Sequence, residues 1–447
     1  MWTSTFLWWS FLLATLSQLV YSSFASKVIE LDDGLPQFIK RDPARAWLVK
    51  FYAPWCHYCR NLEPTYDKVA ETIYHKHDHL LVGRLDCAKY SSVCQEFDIK
   101  SYPTLMYISN ERRISYEGER FADSIVNFAE RLHGPDIRTV GCSTLKEMRD
   151  KQGVVFVANV KDKTSDLWKD FQKLAKNLVT SDWFFEISED CSRLFGPDMR
   201  QQGVFVLKAN RTKVDKFSCP DTLDSTNTST SLQLTEWAKQ NRLPVFSRIG
   251  SSNLNRALQT RKMLVLALVE EYVPLHRLYP TSQTFVDMLI TLSQEFESYD
   301  DQLLFGWTGD LDTINSIAIQ TISPIPNLIV ITHNLTYYMP ENYSSGTPTT
   351  NSIRGLLRDI VDRKPTLRAY GGDSIYHRML RLVYDTFASL VRMYHGNPIL
   401  TLLLTGLPGL FLTAILYTVC CYDSYSVEDD ETEVLLKHKT VDHDKVD

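Results

Sequence analysis

The sequence predicts an α/β protein made of three consecutive units of similar size, followed by one membrane-spanning helix. Three observations predict this. Strand-like and helix-like runs alternate through residues 27–134, and weaker versions of the same alternation follow over 137–245 and 246–366. The run Ile399 to Tyr422 contains no charged residue and is long enough to cross a hydrocarbon core of about 30 Å. A second apolar run, Phe6 to Leu16, ends in the small residues Ser22-Ser23-Phe24-Ala25-Ser26.

That N-terminal run reads as a secretory signal peptide over residues 1–25, although it lacks the usual basic start. A cleaved signal and one later span predict a type I topology, with residues 26–398 luminal and the acidic tail 423–447 cytosolic. The arginines beside the span, Arg378, Arg381 and Arg392, fall on the luminal side. Charge bias therefore gives the orientation no support, and the signal peptide sets it. The chain has 447 residues, 44% of them hydrophobic and 23% charged, so several packed domains are expected. A net charge of −6 points to no nucleic-acid partner.

In the first unit, Trp47 to Tyr52 predicts a strand, with Leu80 to Leu85 a second, Thr104 to Ile108 a third and Ile114 to Tyr116 a fourth. Phe121 to Leu132 predicts a closing helix, because Ile125, Phe128, Ala129 and Leu132 share one face. The later units carry Val154–Ala158 and Val204–Leu207, then Met263–Leu268, Gln302–Trp307 and Asn327–Ile331 as strands. Ile325-Pro326 precedes the last of these as Tyr102-Pro103 precedes Thr104. Residues 340–352 predict a loop. Residues 367–398 predict a juxtamembrane segment in which Ile375, Met379, Leu382, Val383, Phe387 and Leu390 recur at helical spacing, with Asp373 or Ser374 as cap. This helix fits either the membrane interface or a plain stalk. Pro408 lies inside the span and is a candidate kink.

The chemistry concentrates in Phe51-Tyr52-Ala53-Pro54-Trp55-Cys56-His57-Tyr58-Cys59. A strand enters this run and a helix, from Asn61 through Ala70, leaves it. Thiols at a helix N-terminus meet free backbone N–H groups and the positive end of the dipole, both of which favour thiolate. Cys56, the first thiol, is the expected nucleophile, and Cys59 the resolving thiol in thiol–disulfide exchange. A structural disulfide or half of a zinc site are the competing readings. Zinc needs four ligands, usually from a second paired motif, and the sequence has no second Cys-x-x-Cys. No metal and no cofactor is expected.

The run Tyr52-Ala53-Pro54-Trp55-Cys56-x-x-Cys59 with Pro64, then Ser101-Tyr102-Pro103-Thr104, then Gly118-x-Arg120, resembles the catalytic domain of protein disulfide isomerases. The likeness extends to Gly371–Ile375 and Leu404–Gly409, as in a membrane-anchored member of that family. The resemblance implies three tandem thioredoxin-like domains: a catalytic one over 26–134 and redox-inactive ones over 137–245 and 246–366. It implies a cis bond before Pro103, opposite Cys56, and an approach of Arg120 to the active site that lowers the pKa of the second cysteine. It also implies a structural disulfide between Cys87 and Cys94, with two free thiols as the alternative. Cys142, Cys191 and Cys219 are left as an odd set whose pairing the sequence does not assign.

Two residues depart from the family pattern. His57-Tyr58 replaces the usual Gly-His; a protonated His57 beside Cys56 can still favour thiolate. Lys50 replaces an acid that the family places beneath the second cysteine. A buried Lys50 would shuttle protons or favour thiolate by its charge; an outward-turned Lys50 would lose that role.

The expected activity is thiol–disulfide oxidation or isomerisation of luminal proteins. The alternative is a binding protein or chaperone that tethers clients through its thiols with little turnover. Expected partners are protein thiols or disulfides and membrane lipid around one helix, with the redox partner open. Sequons at Asn210, Asn227, Asn334 and Asn342 suit a secretory lumen. The endoplasmic reticulum membrane is the location that the resemblance implies. The tail keeps a later secretory or endolysosomal membrane open, since Glu431-Thr432-Glu433-Val434-Leu435-Leu436 resembles an acidic dileucine signal. Cys420 and Cys421 are either palmitoylation sites or apolar filler.

Overall fold

A computed structural model describes residues 26–211, 214–218, 230–272, 277–341, 344, 346–364 and 367–421. The signal-peptide run, Cys219, Asn227, Asn342, the side chains of Cys420 and Cys421, and the acidic tail lie outside the described residues.

The first sheet orders its strands Ile29–Leu31, Leu80–Asp86, Ala46–Tyr52, Thr104–Ile108 and Arg113–Ser115. Its first three strands run parallel and the last two antiparallel. Numbered within the unit, the order is 1-3-2-4-5. The second sheet repeats that order with Arg138–Val140, Phe184–Ile187, Val154–Asn159, Gly203–Lys208 and Asp215–Lys216. Five strands of the third sheet repeat it again: Phe246–Arg248, Leu303–Thr308, Met263–Leu268, Asn327–Ile331 and Thr336–Tyr338. The alternation read from the sequence is therefore one topology used three times, a mixed α/β, thioredoxin-like arrangement.

The central strand of the first sheet shows why the sequence folds this way. Side chains alternate across a strand. Trp47, Val49 and Phe51 enter one apolar layer with Leu35, Ile39, Val93 and Phe97. Ala46 and Leu48 enter the other, with Leu62, Tyr66, Val69 and Ile73 of the helix His57–Lys76. Both faces are covered, so the strand reads as a buried run interrupted by Lys50. The second sheet also has two apolar layers, one centred on Phe156, Phe171 and Phe184 and one on Val157, Phe185 and Phe205.

Some boundaries differ from expectation. The strand expected over Ile114–Tyr116 is Arg113–Ser115, one residue early and the fifth of its unit, because Tyr116 turns its ring inward against Phe128, 4.9 Å between centroids. The loop expected over 340–352 ends at Thr349, whose side chain caps a helix Thr350–Val361. The helix His57–Lys76 continues through Pro64.

A second compact unit contains Ile314–Ile322 and the chain from Tyr370 onward. Its helix Ile375–Gly396 is capped by Ser374, whose hydroxyl accepts from the His377 N–H, and Asp373 pairs with Arg378 at 2.7 Å. Ser316 donates to Asp385 at 3.0 Å. Ile375, Met379, Leu382, Val383 and Phe387 are all exposed. The helix Pro398–Cys421 follows, and its stretch Pro398–Val419 is long and apolar enough to cross a membrane.

Candidate active site

The buried strand Ala46–Tyr52 ends where the motif begins, and the helix His57–Lys76 starts immediately after Cys56. Cys56 is the N-cap: its backbone is extended (φ −74°, ψ 112°), and its sulfur accepts from the Cys59 N–H at 3.1 Å. This is a backbone donor aimed at the atom that carries charge when the thiolate forms. Cys56 and Cys59 are joined as a disulfide, with Cα atoms 5.3 Å apart. Cys56 is 6% exposed and Cys59 2%, so Cys56 is the residue of the pair nearer solvent. Ala53 is buried beside them, with Tyr52 and Tyr102 packed against the group.

The surroundings are apolar and open. Trp55, just before Cys56, is 73% exposed, and Tyr58, just before Cys59, is 74% exposed. Trp55 meets Tyr102 edge to face, 6.0 Å between centroids. The Tyr102-Pro103 bond is cis, as are Ser323-Pro324 and Ile325-Pro326. Arg120 donates to the Pro103 carbonyl at 3.4 Å, and its guanidinium lies 5.9 Å from the Tyr116 ring. Arg120 is thus attached to the proline loop. His57 is exposed and hydrogen-bonds Asn61 at 3.2 Å, one turn along the helix. That contact draws its ring along the helix surface.

Lys50 does not turn outward. Strand parity sends it into the layer beneath the helix His57–Lys76, where it is fully buried and ion-paired with Glu63. Its Nζ also lies over the rings of Tyr66 at 5.0 Å and Tyr52 at 5.5 Å. Glu63 is held from its other side by Arg84, which also pairs with Glu30. The result is an alternating row, Lys50–Glu63–Arg84–Glu30. Burial works against the Arg84 charge, yet its bond to Glu30 raises its pKa above the ordinary value. Tyr66 donates to the carbonyls of Leu48 and Gly83, both at 2.8 Å; burial pushes its pKa well up, so it remains a neutral donor. The sequence reading missed Glu63 and Arg84. The signal was present: Glu63 lies four residues after Cys59, on the same helix face, above the strand face that carries Lys50.

Among the described residues two further cysteine pairs are closed. Cys87 bonds Cys94, and Cys142 bonds Cys191. Asn210 and Asn334 are exposed, each beside a positive-φ turn position or in one. Among the described residues no cluster of three or more His, Cys, Asp or Glu has metal-holding geometry.

Residues 30–131 match the Thioredoxin family. The chain is 27% identical over 446 residues to protein disulfide-isomerase TMX3 of Xenopus laevis, covering 98% of this chain and 91% of that protein. It is 26% identical over 390 residues to the TMX3 of Homo sapiens, covering 86% of this chain and 79% of that one. A crystal structure of human ERp44 aligns over 80% of this chain and 95% of its own, at 15% identity and a TM-score of 0.30.

Proposed function

We propose that this protein disulfide isomerase-like oxidoreductase exchanges disulfides with secretory-pathway proteins through Cys56 and Cys59, held at the endoplasmic reticulum membrane by its C-terminal helix. The observation that carries this reading is the Cys56–Cys59 disulfide at a helix N-terminus, with Cys56 nearer solvent and a backbone N–H on its sulfur.

As an oxidant, the pair receives a substrate thiolate on the Cys56 sulfur. The Cys56–Cys59 bond breaks, Cys59 leaves as thiolate, and a mixed disulfide joins substrate to Cys56. A second substrate thiolate then attacks the substrate sulfur and displaces Cys56, leaving both cysteines reduced and the substrate oxidised. As an isomerase, the reduced pair starts with the Cys56 thiolate attacking a substrate disulfide; a different substrate thiolate closes the cycle with no net electron transfer. The Cys59 N–H lowers the cost of Cys56 thiolate in both directions. Trp55, Tyr58 and Tyr102 offer an apolar ledge for an unfolded segment, and Pro103, tied to Arg120, forms the opposite edge.

An apolar helix of membrane-crossing length supports the anchoring. Three disulfides among the described residues, two in the first unit and one in the second, support an oxidising lumen for both units. Exposed sequons at Asn210 and Asn334 agree with that side.

Refolding of a reduced protein, for oxidation, and of a scrambled-disulfide protein, for isomerisation, tests the reading. Cys56→Ser is expected to abolish turnover, and Cys59→Ala to accumulate covalent mixed disulfides at Cys56. Parental turnover by Cys56→Ser would instead favour a client-tethering protein.

A further inference from the structure

A cleft of about 880 Å³ opens where the three thioredoxin-like units meet, lined by side chains from all three. We infer that this cleft binds a small oxyanion, a phosphate- or carboxylate-bearing molecule, between Arg131, Arg242 and Arg256.

Each unit contributes one arginine. Arg131 lies on the helix Ala122–His133, Arg242 follows the helix Thr230–Asn241, and Arg256 lies on the helix Ser251–Leu258. The carboxylate among them is Asp182, itself buried, which pairs with Arg242 at 2.6 Å. Arg131 spends its donors on the carbonyls of Val179 and Thr180, at 3.1 and 2.8 Å. Among the described residues Arg256 makes neither a hydrogen bond nor an ion pair; it feels Asp182 and Arg242 only through their charge. Three guanidinium groups therefore share one carboxylate. The other arginines of the wall are matched: Arg248 is held by Glu119 and Glu271, at 2.7 and 2.9 Å, and Arg113 by Glu96 at 3.6 Å.

Hydrogen bonding tells the same story. The Nε atoms of Arg242, Arg248 and Arg256 and the indole Nε1 of Trp183 are buried without a partner, and all four residues line the cleft. All four atoms are donors; the Ser247 hydroxyl on the same wall is also buried without a partner, so every unpartnered nitrogen there is a donor in search of an acceptor. Buried donors and unpaired cations are costly, and an oxyanion relieves both at once. Burial draws the Arg131 pKa down to about 10, with Arg256 adding to the fall, and burial lowers that of Arg256 too. Both stay charged at neutral pH and gain from an anion. The planar fork of arginine suits two-point contact with phosphate or carboxylate.

Calorimetric titration of the full chain in detergent, at fixed ionic strength, tests this with pyrophosphate and citrate as separate probes. Saturable one-to-one binding of at least one probe is expected, and the preferred probe tells phosphate from carboxylate chemistry. Arg256→Ala should weaken it by about tenfold or more, the loss of one charge-assisted contact. Without anion, Arg256→Ala should be at least as heat-stable as the parent, because it removes a buried unpaired cation. Should that variant fail to fold, Arg256→Lys, which keeps the charge and loses the fork, should bind more weakly than the parent. Cys56→Ser should bind as the parent does, which separates this site from the redox centre. Absence of saturable binding at millimolar probe, parental affinity in both Arg256 variants, or binding of an acidic peptide in place of both probes would overturn the inference.

Discussion

Lys50 is the residue whose position most changes the picture of the site. A lysine in a strand covered on both faces has no path to solvent, so it is tolerated only with a partner. Glu63 is that partner, and Arg84 and Glu30 extend the pair toward the surface. Removing one partner of a buried pair leaves an uncompensated charge, at a cost of about 3–5 kcal/mol, whereas replacing both can be near neutral. Glu63 keeps a third of its side chain exposed, which places Glu63→Gln at the low end. Urea denaturation should find Glu63→Gln clearly destabilised and the double variant Lys50→Met, Glu63→Gln more stable than it. A double variant weaker than the single would contradict the pairing. Lys208 is a second buried lysine, hydrogen-bonded to Asn241 at 3.2 Å, and burial lowers its pKa to about 7. Its folded pKa lies below the unfolded value, so between pH 7 and 9 the unfolded chain binds more protons. Stability should rise across that window by up to about 2 kcal/mol. Denaturation midpoints at the two ends should show that rise in the parent and lose it in Lys208→Met. Above that window the tyrosines oppose it: burial holds Tyr107 and Tyr116 near a pKa of about 12, so folding there retains protons.

At the scale of elements, the strand Ala46–Tyr52 and the helix His57–Lys76 form one device. The strand delivers the motif to its own C-terminal end in the middle of the sheet, and the helix brings its N-terminus and Glu63 to it. The two disulfides outside the motif act on their own elements. Cys87–Cys94 spans a separation of 7 residues and Cys142–Cys191 one of 49. Loop-closure entropy gives about 2.4 kcal/mol for the first and about 4 kcal/mol for the second. Serine replacement of the Cys142–Cys191 pair should therefore cost more stability than that of Cys87–Cys94, measured by denaturation without reductant. The reverse order would contradict the entropic account. Much of this level was legible in the sequence, because strands buried on both faces read as apolar runs and Ser374 announces its helix. Cys142–Cys191 was not legible, since 49 residues separate partners that only the folded second sheet brings together. The Lys50 row was half legible: parity buries Lys50, but its partner requires knowing which helix covers that face.

At the scale of the whole molecule, one strand topology occurs three times, and only the first copy carries a Cys-x-x-Cys. The other copies supply bulk, two arginines of the cleft and length before the apolar helix. Under the proposed function one pair of thiols, Cys56 and Cys59, does the redox work. Equilibration of the full chain across glutathione ratios, followed by alkylation and peptide mass spectrometry, measures it most directly. A single two-electron transition is expected at Cys56 and Cys59, in the range of roughly −270 to −120 mV for catalytic pairs, while Cys87–Cys94 and Cys142–Cys191 stay oxidised. Reduction of either of those pairs before Cys56–Cys59, or a Cys56–Cys59 bond that resists reduction throughout, would contradict it.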